Sequence, residues 1–517
     1  MTFEIVFVLL SLLGMMAALI ADKMRPGMVL FSVVVLFLCV GILTPKEMLE
    51  GFSNKGMITV ALLFLVSEGI RQSGTLGQVI KKLLPQGKTT VFKAQLRILP
   101  SVAFISAFLN NTPVVVIFAP IIKHWAKSVK LPATKFLIPL SYVTILGGIC
   151  TLIGTSTNLV VHGMILEAGY EGFTMFELGK AGIFIAIAGI IYLFIFSKRL
   201  LPDARPDTAV PDEEVEEGEK LHRVEAVLGA RFPGINKKLS DFNFQRHYGA
   251  EVKEIKTRNG QRYVDHLEDV VLREGDTLVV MADDTFIPTW GESSVFVLLT
   301  NGNDPDTSGK KKRWLALILL VLMIVGATVG ELPATKEMFP DIKLDMFFFV
   351  CITTIIMAWT NIFPARKYTK YISWDILITI ACAFAISKAM VNSGVADCVA
   401  GFIIGLSDDY GPHVLLAILF VITNLFTELI TNNAAAALAF PLALSISAQL
   451  GVSPTPFFVV ICMAASASFS TPIGYQTNLI VQGIGNYKFT DFVRIGLPLN
   501  IITFLISVIL IPLIWNF

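Results

Sequence analysis

Residues 154–163, with the sequence GTSTNLVVHG, decide the fold, because a near copy, GYQTNLIVQG, follows 320 positions later at residues 474–483. Two further matches support this repeat. Ser73-Gly74 recurs as Ser393-Gly394 at the same spacing of 320, and Asn110-Asn111 recurs as Asn432-Asn433 at a spacing of 322. Collinear matches at nearly one spacing indicate that the chain contains two copies of one structural unit.

The composition is that of a membrane protein. The 517 residues are 54% hydrophobic and 16% charged, with a mean hydropathy of +0.70, whereas soluble domains are about 25% charged. Uncharged stretches such as 27–43 and 181–197 approach the roughly 20 residues with which a helix crosses a bilayer. We therefore predict a polytopic α-helical membrane protein, which excludes a soluble enzyme. We expect the first apolar stretch to be a retained span and not a signal peptide.

The apolar pattern has the same plan in both halves. Five spans are predicted before the middle of the chain and five after it, near 3–20, 27–43, 57–72, 135–167 and 181–199, and near 313–331, 345–362, 374–391, 455–486 and 493–515. Each half also contains an apolar helical pair that is broken at its centre, at about 91–126 and 411–449. Such a pair is the pattern of a re-entrant hairpin.

An acidic segment separates the halves. Residues 201–309 contain 12 Lys and Arg and 22 Asp and Glu, a net charge of −10, while the remainder has a net charge of +11. Within this segment, strand-like residues 224–228 and 278–281, a short helix at 237–242 and a hairpin turn at Arg258-Asn259-Gly260 predict a small α/β domain. The predicted divisions are a first repeat (1–200), an acidic linker (201–220), the α/β domain (221–300), a basic linker (301–312) and a second repeat (313–517).

Loop charges predict the orientation, because short loops rich in Lys and Arg stay cytoplasmic. With the N-terminus outside, the cytoplasmic loops contain 23 Lys and Arg and the opposite loops contain five. Residues 201–312 are thus predicted to be cytoplasmic, and both termini extracytoplasmic, in the cell (inner) membrane. Five spans per repeat is an odd number, so the second repeat is inverted relative to the first.

Four polar breaks predict a binding site, because non-helical backbone at membrane depth is tolerated only inside protein or along a cavity. The breaks at 110–113, 147–158, 431–434 and 468–478 contain no Asp, Glu, Lys or Arg. Helix N-termini there attract an anion, and freed carbonyls with Asn oxygens suit sodium. A transporter that carries an anion with sodium fits both features. The alternative is that small polar residues merely close contacts between helices.

At these residues the chain resembles the divalent anion:sodium symporter family of the ion-transporter superfamily. The hairpin tips of that family carry a Ser-Asn-Thr motif, which Asn110-Asn111-Thr112 and Asn432-Asn433-Ala434 match in part, and its broken-helix loops correspond to residues 154–158 and 474–478. The resemblance implies two inverted five-span repeats, each with a re-entrant hairpin and a broken helix, in a homodimer with elevator-type transport.

The inserted residues 221–300 resemble the C-terminal ligand-binding (TrkA-C type) domain of potassium-conductance regulators. This resemblance implies a cytoplasmic regulatory domain for a small ligand of unknown identity. Permeases with such inserts resemble the sulfate-transporting branch of the family.

The family resemblance also assigns roles to individual residues. Sodium, as coupling ion and sole metal, is expected on Asn111, Gly154, Asn158, Thr431, Asn433, Gly474 and Asn478. The anion is expected on Asn110, Asn111, Thr112, Thr155, Ser156, Asn432, Asn433, Gln476 and Thr477. No catalytic residue is expected, so the protein is predicted not to be an enzyme. Glu428, one helical turn before Asn432, is expected to orient the second tip.

Departures from the family pattern bear on the substrate. Ala434 replaces a Thr of the second tip, and Ser156-Thr157-Asn158 and Gln476-Thr477-Asn478 replace the Pro-Pro-Asn of the dicarboxylate branch. With fewer donors in the second tip, we predict a compact divalent anion, sulfate, bound near the first tip. A dicarboxylate such as succinate is the alternative substrate. A ligand-gated channel is a rival of another class, against which stands the lack of a TVGYG-like filter.

Overall fold

The computed structural model describes residues 3–21, 23–85, 87–203, 222–229, 231–257, 261–283, 286–290, 295–300, 310–339, 342–405 and 411–517. Most of the predicted acidic linker and the predicted Arg258-Asn259-Gly260 turn lie outside these residues. Within them, eight helices are long and apolar enough to cross a membrane. The chain is a polytopic α-helical membrane protein, as its composition predicts.

The described helices follow the same order in the two halves, except that the second half has one additional short helix, Pro333–Met338. The first half contains α1 (Phe3–Ala21), α2 (Pro26–Val40), α3 (Pro45–Glu50), α4 (Lys55–Gln72), α5 (Thr75–Leu83), α6 (Val91–Ser106), α7 (Asn111–Ser128), α8 (Leu137–Gly148), α9 (Ser156–Glu167) and α10 (Gly179–Leu200). The insert contains α11 (Phe244–Tyr248) and α12 (Phe286–Trp290). The second half contains α13 (Lys310–Gly330), α14 (Pro333–Met338), α15 (Met346–Trp359), α16 (Tyr368–Tyr371), α17 (Trp374–Asn392), α18 (Val395–Gly405), α19 (Gly411–Leu429), α20 (Asn432–Leu450), α21 (Thr455–Ser466), α22 (Gln476–Gly485) and α23 (Phe489–Ile514).

Helix packing repeats across the two halves. Within each half, α6 packs on α8, and likewise α19 packs on α21. Between the halves, α2 packs on α17, and correspondingly α15 packs on α4. In the same way, α7 packs on α22 and α20 packs on α9. Helices α10 and α23 occupy corresponding positions and pack on each other. The matched Ser-Gly pairs have a local reason as well. Gly74 (φ 71°) and Gly394 (φ 75°) take the left-handed conformation that lets α5 and α18 begin directly after α4 and α17.

The two hairpins, α6–α7 and α19–α20, open toward opposite ends of the molecule. Helix α17 begins at the insert, where Ile372 accepts a hydrogen bond from Arg231, and α18 follows it at the other end. The last turns of α20 lie beside Asp397 of α18. In the first hairpin, by contrast, Lys123 near the end of α7 contacts Glu225 of the insert. This arrangement agrees with an inverted second repeat.

The insert forms an antiparallel sheet of β1 (His222–Leu228), β2 (Glu251–Lys256), β3 (Arg262–Tyr263), β4 (Thr277–Ala282) and β5 (Phe296–Thr300), in the order β3-β2-β4-β1-β5. The helix expected at 237–242 is wrong. The Leu239 amide donates to the Val270 carbonyl, and Phe242 packs against Phe232 in an aromatic core. Asn243 then caps α11.

Candidate functional site

The first broken helix is held together across its break by one amide side chain. Asn158, fully buried in α9, donates to the carbonyls of Thr151 at 2.9 Å and Gly148 at 3.4 Å. The Thr151 hydroxyl donates to the Ala107 carbonyl of the first hairpin and accepts from the Gly154 amide at 3.2 Å. The loop between α8 and α9 is thus tied both to α9 and to the hairpin.

The second broken helix repeats these bonds almost one for one. Asn478 donates to the carbonyls of Ser468 at 2.9 Å and Thr471 at 3.2 Å. The Thr471 hydroxyl donates to the Glu428 carbonyl at 3.1 Å and accepts from the Gly474 amide at 3.3 Å. Both loops therefore have the same local backbone arrangement. The sequence match at a spacing of 320 marks a structural match.

The first loop also brings several neutral oxygen atoms close together. The Asn158 side-chain oxygen is buried and has no hydrogen-bond partner among the described residues. A Cβ atom added to Gly148 would lie 2.7 Å from the Asn111 side-chain oxygen, and one added to Gly154 would lie 2.5 Å from the Gly148 carbonyl oxygen. Only glycine permits this close approach. Asn111, Gly154 and Asn158, three of the predicted sodium residues, therefore lie together in a set of neutral oxygen donors.

Tyr475 lies at the centre of the site, between the two hairpin tips. Its hydroxyl accepts a hydrogen bond from the Asn111 amide at 2.6 Å and lies 3.1 Å from the Thr155 hydroxyl, with the Asn432 side chain nearby. The side chain is buried, with 7% of Tyr475 exposed. Thr155 is its counterpart in the first half, so the ring has no equivalent there.

Each hairpin tip contacts the broken helix of the other half. Thr112 of the first tip donates to the Gln476 side chain of α22 at 3.4 Å. Asn433 of the second tip accepts from the hydroxyls of Ser156 at 3.3 Å and Thr157 at 3.2 Å in α9. Asn433, which is expected to bind both sodium and the anion, thus contacts α9 of the first half in the hydrogen bonds described.

These contacts change the alignment of the tips. Ser156 and Gln476 occupy corresponding positions in the two halves. Ser156 bonds to Asn433 and Gln476 bonds to Thr112, so Thr112 and Asn433 also correspond. Their spacing is 321 and not 322. The first residues of α7 and α20 have the same spacing. Ala434 is buried, with 1% exposed, and is not the counterpart of Thr112. The prediction of fewer donors in the second tip aligns Ala434 with Thr112, whereas in this register Asn433 takes that place.

The remaining predicted residues take different positions. Asn110 and Ser156 line a cleft that α4 and α13 complete. Thr477 is fully buried and accepts from the Ser141 hydroxyl at 2.9 Å, which places it behind the site. Thr431 precedes α20 as its N-cap residue, and its hydroxyl has no hydrogen-bond partner among the described residues.

Glu428 has a role that the sequence expectation missed. Its carboxylate accepts from the backbone amides of Ser470 at 2.8 Å and Thr471 at 2.9 Å, and from the Asn500 side chain at 2.7 Å. It therefore holds the second broken loop and not the hairpin tip. The signal in the sequence is a carboxylate in an apolar helix where the first half has Ala107.

Four helix N-termini meet at this centre. Helices α7, α9, α20 and α22 begin at Asn111, Ser156, Asn432 and Gln476, and the contacts above join them. None of their N-cap residues makes a side-chain capping hydrogen bond within the described chain. Each N-terminus carries roughly half an elementary positive charge, about two charges for the four. Because the four breaks contain no charged residue, these N-termini supply the positive charge that can attract a divalent anion.

Comparison with known sequences agrees with this geometry. The family described as "Citrate transporter" matches residues 16–446 and 338–517, which together cover most of the chain. The chain belongs to the citrate transporter family. Members of this family are transporters and not enzymes, in agreement with the expectation from the sequence.

Individual relatives span a range of similarity. An uncharacterized transporter of Synechocystis is 29% identical over 94% of this chain and 93% of its own length. The "Probable sodium/sulfate cotransporter 3" of Chlamydomonas reinhardtii is 22% identical over 89% of this chain and 82% of its own. A sodium-dependent dicarboxylate transporter of Staphylococcus saprophyticus is 25% identical over 28% of each chain.

Proposed function

We propose that this citrate transporter family member is a sodium-coupled symporter for a small divalent anion, with sulfate as the leading substrate. The observation that carries the proposal is the meeting of four uncapped helix N-termini at breaks that contain no charged residue. Their summed charge, about two elementary charges, is matched to a dianion. Two relatives whose names contain sodium, one with sulfate and one with dicarboxylate, support the same class of substrate.

Sodium is proposed to bind the two mirrored loops. In the first loop, the ligands are the side-chain oxygens of Asn111 and Asn158 with carbonyls near Gly154. In the second loop, they are the groups around Gly474 and Asn478. Bound sodium lowers the electrostatic cost of bringing a dianion into the membrane. Coupling then follows because anion and ion bind to the same tips and loops.

Sulfate and a dicarboxylate make different demands on the site. A tetrahedral oxyanion presents its acceptors from one compact group, whereas a dicarboxylate needs two donor clusters separated by a carbon chain. The sulfate-named relative covers 89% of this chain and the dicarboxylate-named relative 28%. We therefore place sulfate first and keep succinate as the alternative.

The deciding experiment is uptake into proteoliposomes that contain the purified full-length chain. Radiolabelled sulfate and succinate are compared with an inward sodium gradient, with an equal potassium gradient and without a gradient. We expect saturable sulfate uptake that only the sodium gradient drives. Uptake of succinate alone would establish the dicarboxylate alternative, and single-channel currents without coupled uptake would establish a channel.

We further propose that the insert regulates transport in a homodimeric, elevator-type carrier. The support is its contact with elements of the site. Glu225 pairs with Lys123 of α7 at 3.1 Å. A Cβ atom added to Gly483 of α22 would lie 2.5 Å from the Thr277 hydroxyl of the insert. The insert thus touches the helix behind the first tip and the second broken helix, and a ligand bound in residues 221–300 would act through both.

A further inference from the structure

The Tyr475 ring breaks the symmetry of the site at its centre. The N-cap residues of α9 and α22 are Thr155 and Tyr475, and both have extended backbone, with φ −138° and ψ 145° and with φ −136° and ψ 131°. The backbone is therefore the same on the two sides, and only the side chains differ. The long aromatic side chain starts at α22 and ends at the Thr155 hydroxyl, 3.1 Å away.

The ring consequently fills the gap between the two broken helices. With 7% of the residue exposed, the Tyr475 side chain is packed against the surrounding protein. Its hydroxyl also contacts Asn111 of the first tip and Asn432 of the second. A ligand that reached from one half to the other along this line would have to displace the ring.

We propose that Tyr475 determines substrate size, because its ring separates the two mirrored halves of the site and confines the anion to one compact position beside it. This inference rests on the proposed function and names the part of the site that selects within the dianion class. A tetrahedral oxyanion fits one such position. A linear dicarboxylate, with carboxylates at two ends, requires the space that the ring occupies.

The hydroxyl and the ring have separable roles. The hydroxyl bonds to Asn111 of the first tip and lies beside the Thr155 hydroxyl, so its loss weakens the contact between the first tip and the second broken helix. The ring excludes long anions from the site, so its loss changes which anions bind. Tyr475→Phe removes only the hydroxyl, whereas Tyr475→Thr removes the ring and installs the residue that the first half has at the same place.

The test measures sodium-driven uptake of radiolabelled sulfate and succinate by wild type and both variants in proteoliposomes. We expect Tyr475→Thr to raise the ratio of succinate to sulfate uptake by about tenfold or more, the range in which pocket size discriminates substrates. Tyr475→Phe should transport more slowly with a ratio within about twofold of wild type. The double variant Thr155→Tyr/Tyr475→Thr returns one ring to the gap from the other side and should restore the wild-type ratio.

A second measurement needs no variant. Linear dicarboxylates of increasing length compete with sulfate for uptake by wild type, and inhibition should fall steadily with length. Equal inhibition at all lengths, or the same ratio in Tyr475→Thr and Tyr475→Phe, would overturn the role of the ring while leaving the symporter intact. Absence of sodium-driven uptake of either anion by wild type would instead overturn the proposed function.

Discussion

The two halves of the site share their backbone and differ in their side chains. Asn158 and Asn478 each donate hydrogen bonds to two loop carbonyls. At other positions the halves differ, since Tyr475 occupies the position of Thr155 and Glu428 occupies the position of Ala107. Features present twice, such as the amide-braced loops, suit a function needed in both halves, which we assign to sodium. Features present in one half only, such as Tyr475, suit a function that the two halves do not share. We assign substrate selection to Tyr475.

Replacing the amide side chain that holds either broken loop should have the largest effect on transport. Asn158→Leu and Asn478→Leu each leave two buried carbonyls without a donor, which costs about 1–3 kcal/mol per group. We expect each variant to lose sodium-driven sulfate uptake in proteoliposomes, and to a similar degree. Asn392→Leu is the control, because Asn392 also donates to a carbonyl, that of Ile42, but far from the breaks. Loss in one variant and full transport in the other would show that the halves are not equivalent in ion binding.

Glu428 offers the opposite kind of test, on a feature found in one half. Glu428→Gln replaces charge-assisted bonds to the amides of Ser470 and Thr471, and a bond to a charged group is worth about 1.5–3 kcal/mol. We expect a lower unfolding temperature in detergent and a higher sodium concentration at half-maximal uptake. Glu68→Gln serves as control, since Glu68 pairs with Arg71 on α4, away from both loops. Unchanged sodium dependence in Glu428→Gln would make Glu428 a purely structural brace.

The sequence predicts the repeated plan well because its signals are local. Each break carries Gly, Asn or Thr where an apolar helix must end, and Asn158 and Asn478 lie at the two broken helices, as the sequence match predicts. Their role in sodium binding stays a prediction. Residues whose roles depend on distant partners were missed. Tyr475 lies in the predicted broken-helix loop at 474–478, but no local feature of the sequence indicates that its hydroxyl contacts Asn111 of the first tip.

The register of the tips could not be decided from the Asn-Asn match. The Asn-Asn match alone favours a spacing of 322, at which both asparagines align, whereas a spacing of 321 aligns only Asn111 with Asn432. The spacing of 321 follows from helix ends and from contacts between the halves. Pro120 of α7 and Pro441 of α20 have that spacing too. These two prolines are therefore the feature of the sequence that indicates a spacing of 321.

This register gives a prediction for Ala434. Because Ala434 is buried behind the tip, Ala434→Thr adds volume and a hydroxyl to packed space, and overpacking costs about 1–3 kcal/mol. We expect a lower unfolding temperature without a change in the ratio of succinate to sulfate uptake. Ala434→Ser, which adds less volume, should show the same ratio with a smaller loss of stability. A clear shift toward succinate in Ala434→Thr would restore the alignment at a spacing of 322.

The smallest expected effect concerns the hairpin bases, where the halves also differ. Lys123 of the first hairpin contacts the insert, and its counterpart at a spacing of 321 is the apolar Leu444. Burial by itself raises the pKa of Glu225, but the ammonium groups of Lys123 and Lys256 outweigh it and hold the pKa at about 2, below the ordinary 4.5. The stabilisation is therefore complete above about pH 4.5 and is lost as the pH falls toward 2.

Neutralising this pair should weaken the contact only slightly. Lys256 lies 3.5 Å from Glu225 and remains as a partner when Lys123 is changed, so a double-mutant cycle of Lys123→Gln and Glu225→Gln should give a coupling of about 1 kcal/mol. The cycle is measured by thermal unfolding at pH 5 and pH 8, where the ionised Glu225 predicts equal values. If the insert acts through this contact, both single variants should change the sulfate uptake rate in the same direction, while Lys253→Gln, which removes an exposed pair with Glu251, should not change it. Variants that lower stability but transport at the wild-type rate would show that the first hairpin moves independently of the insert.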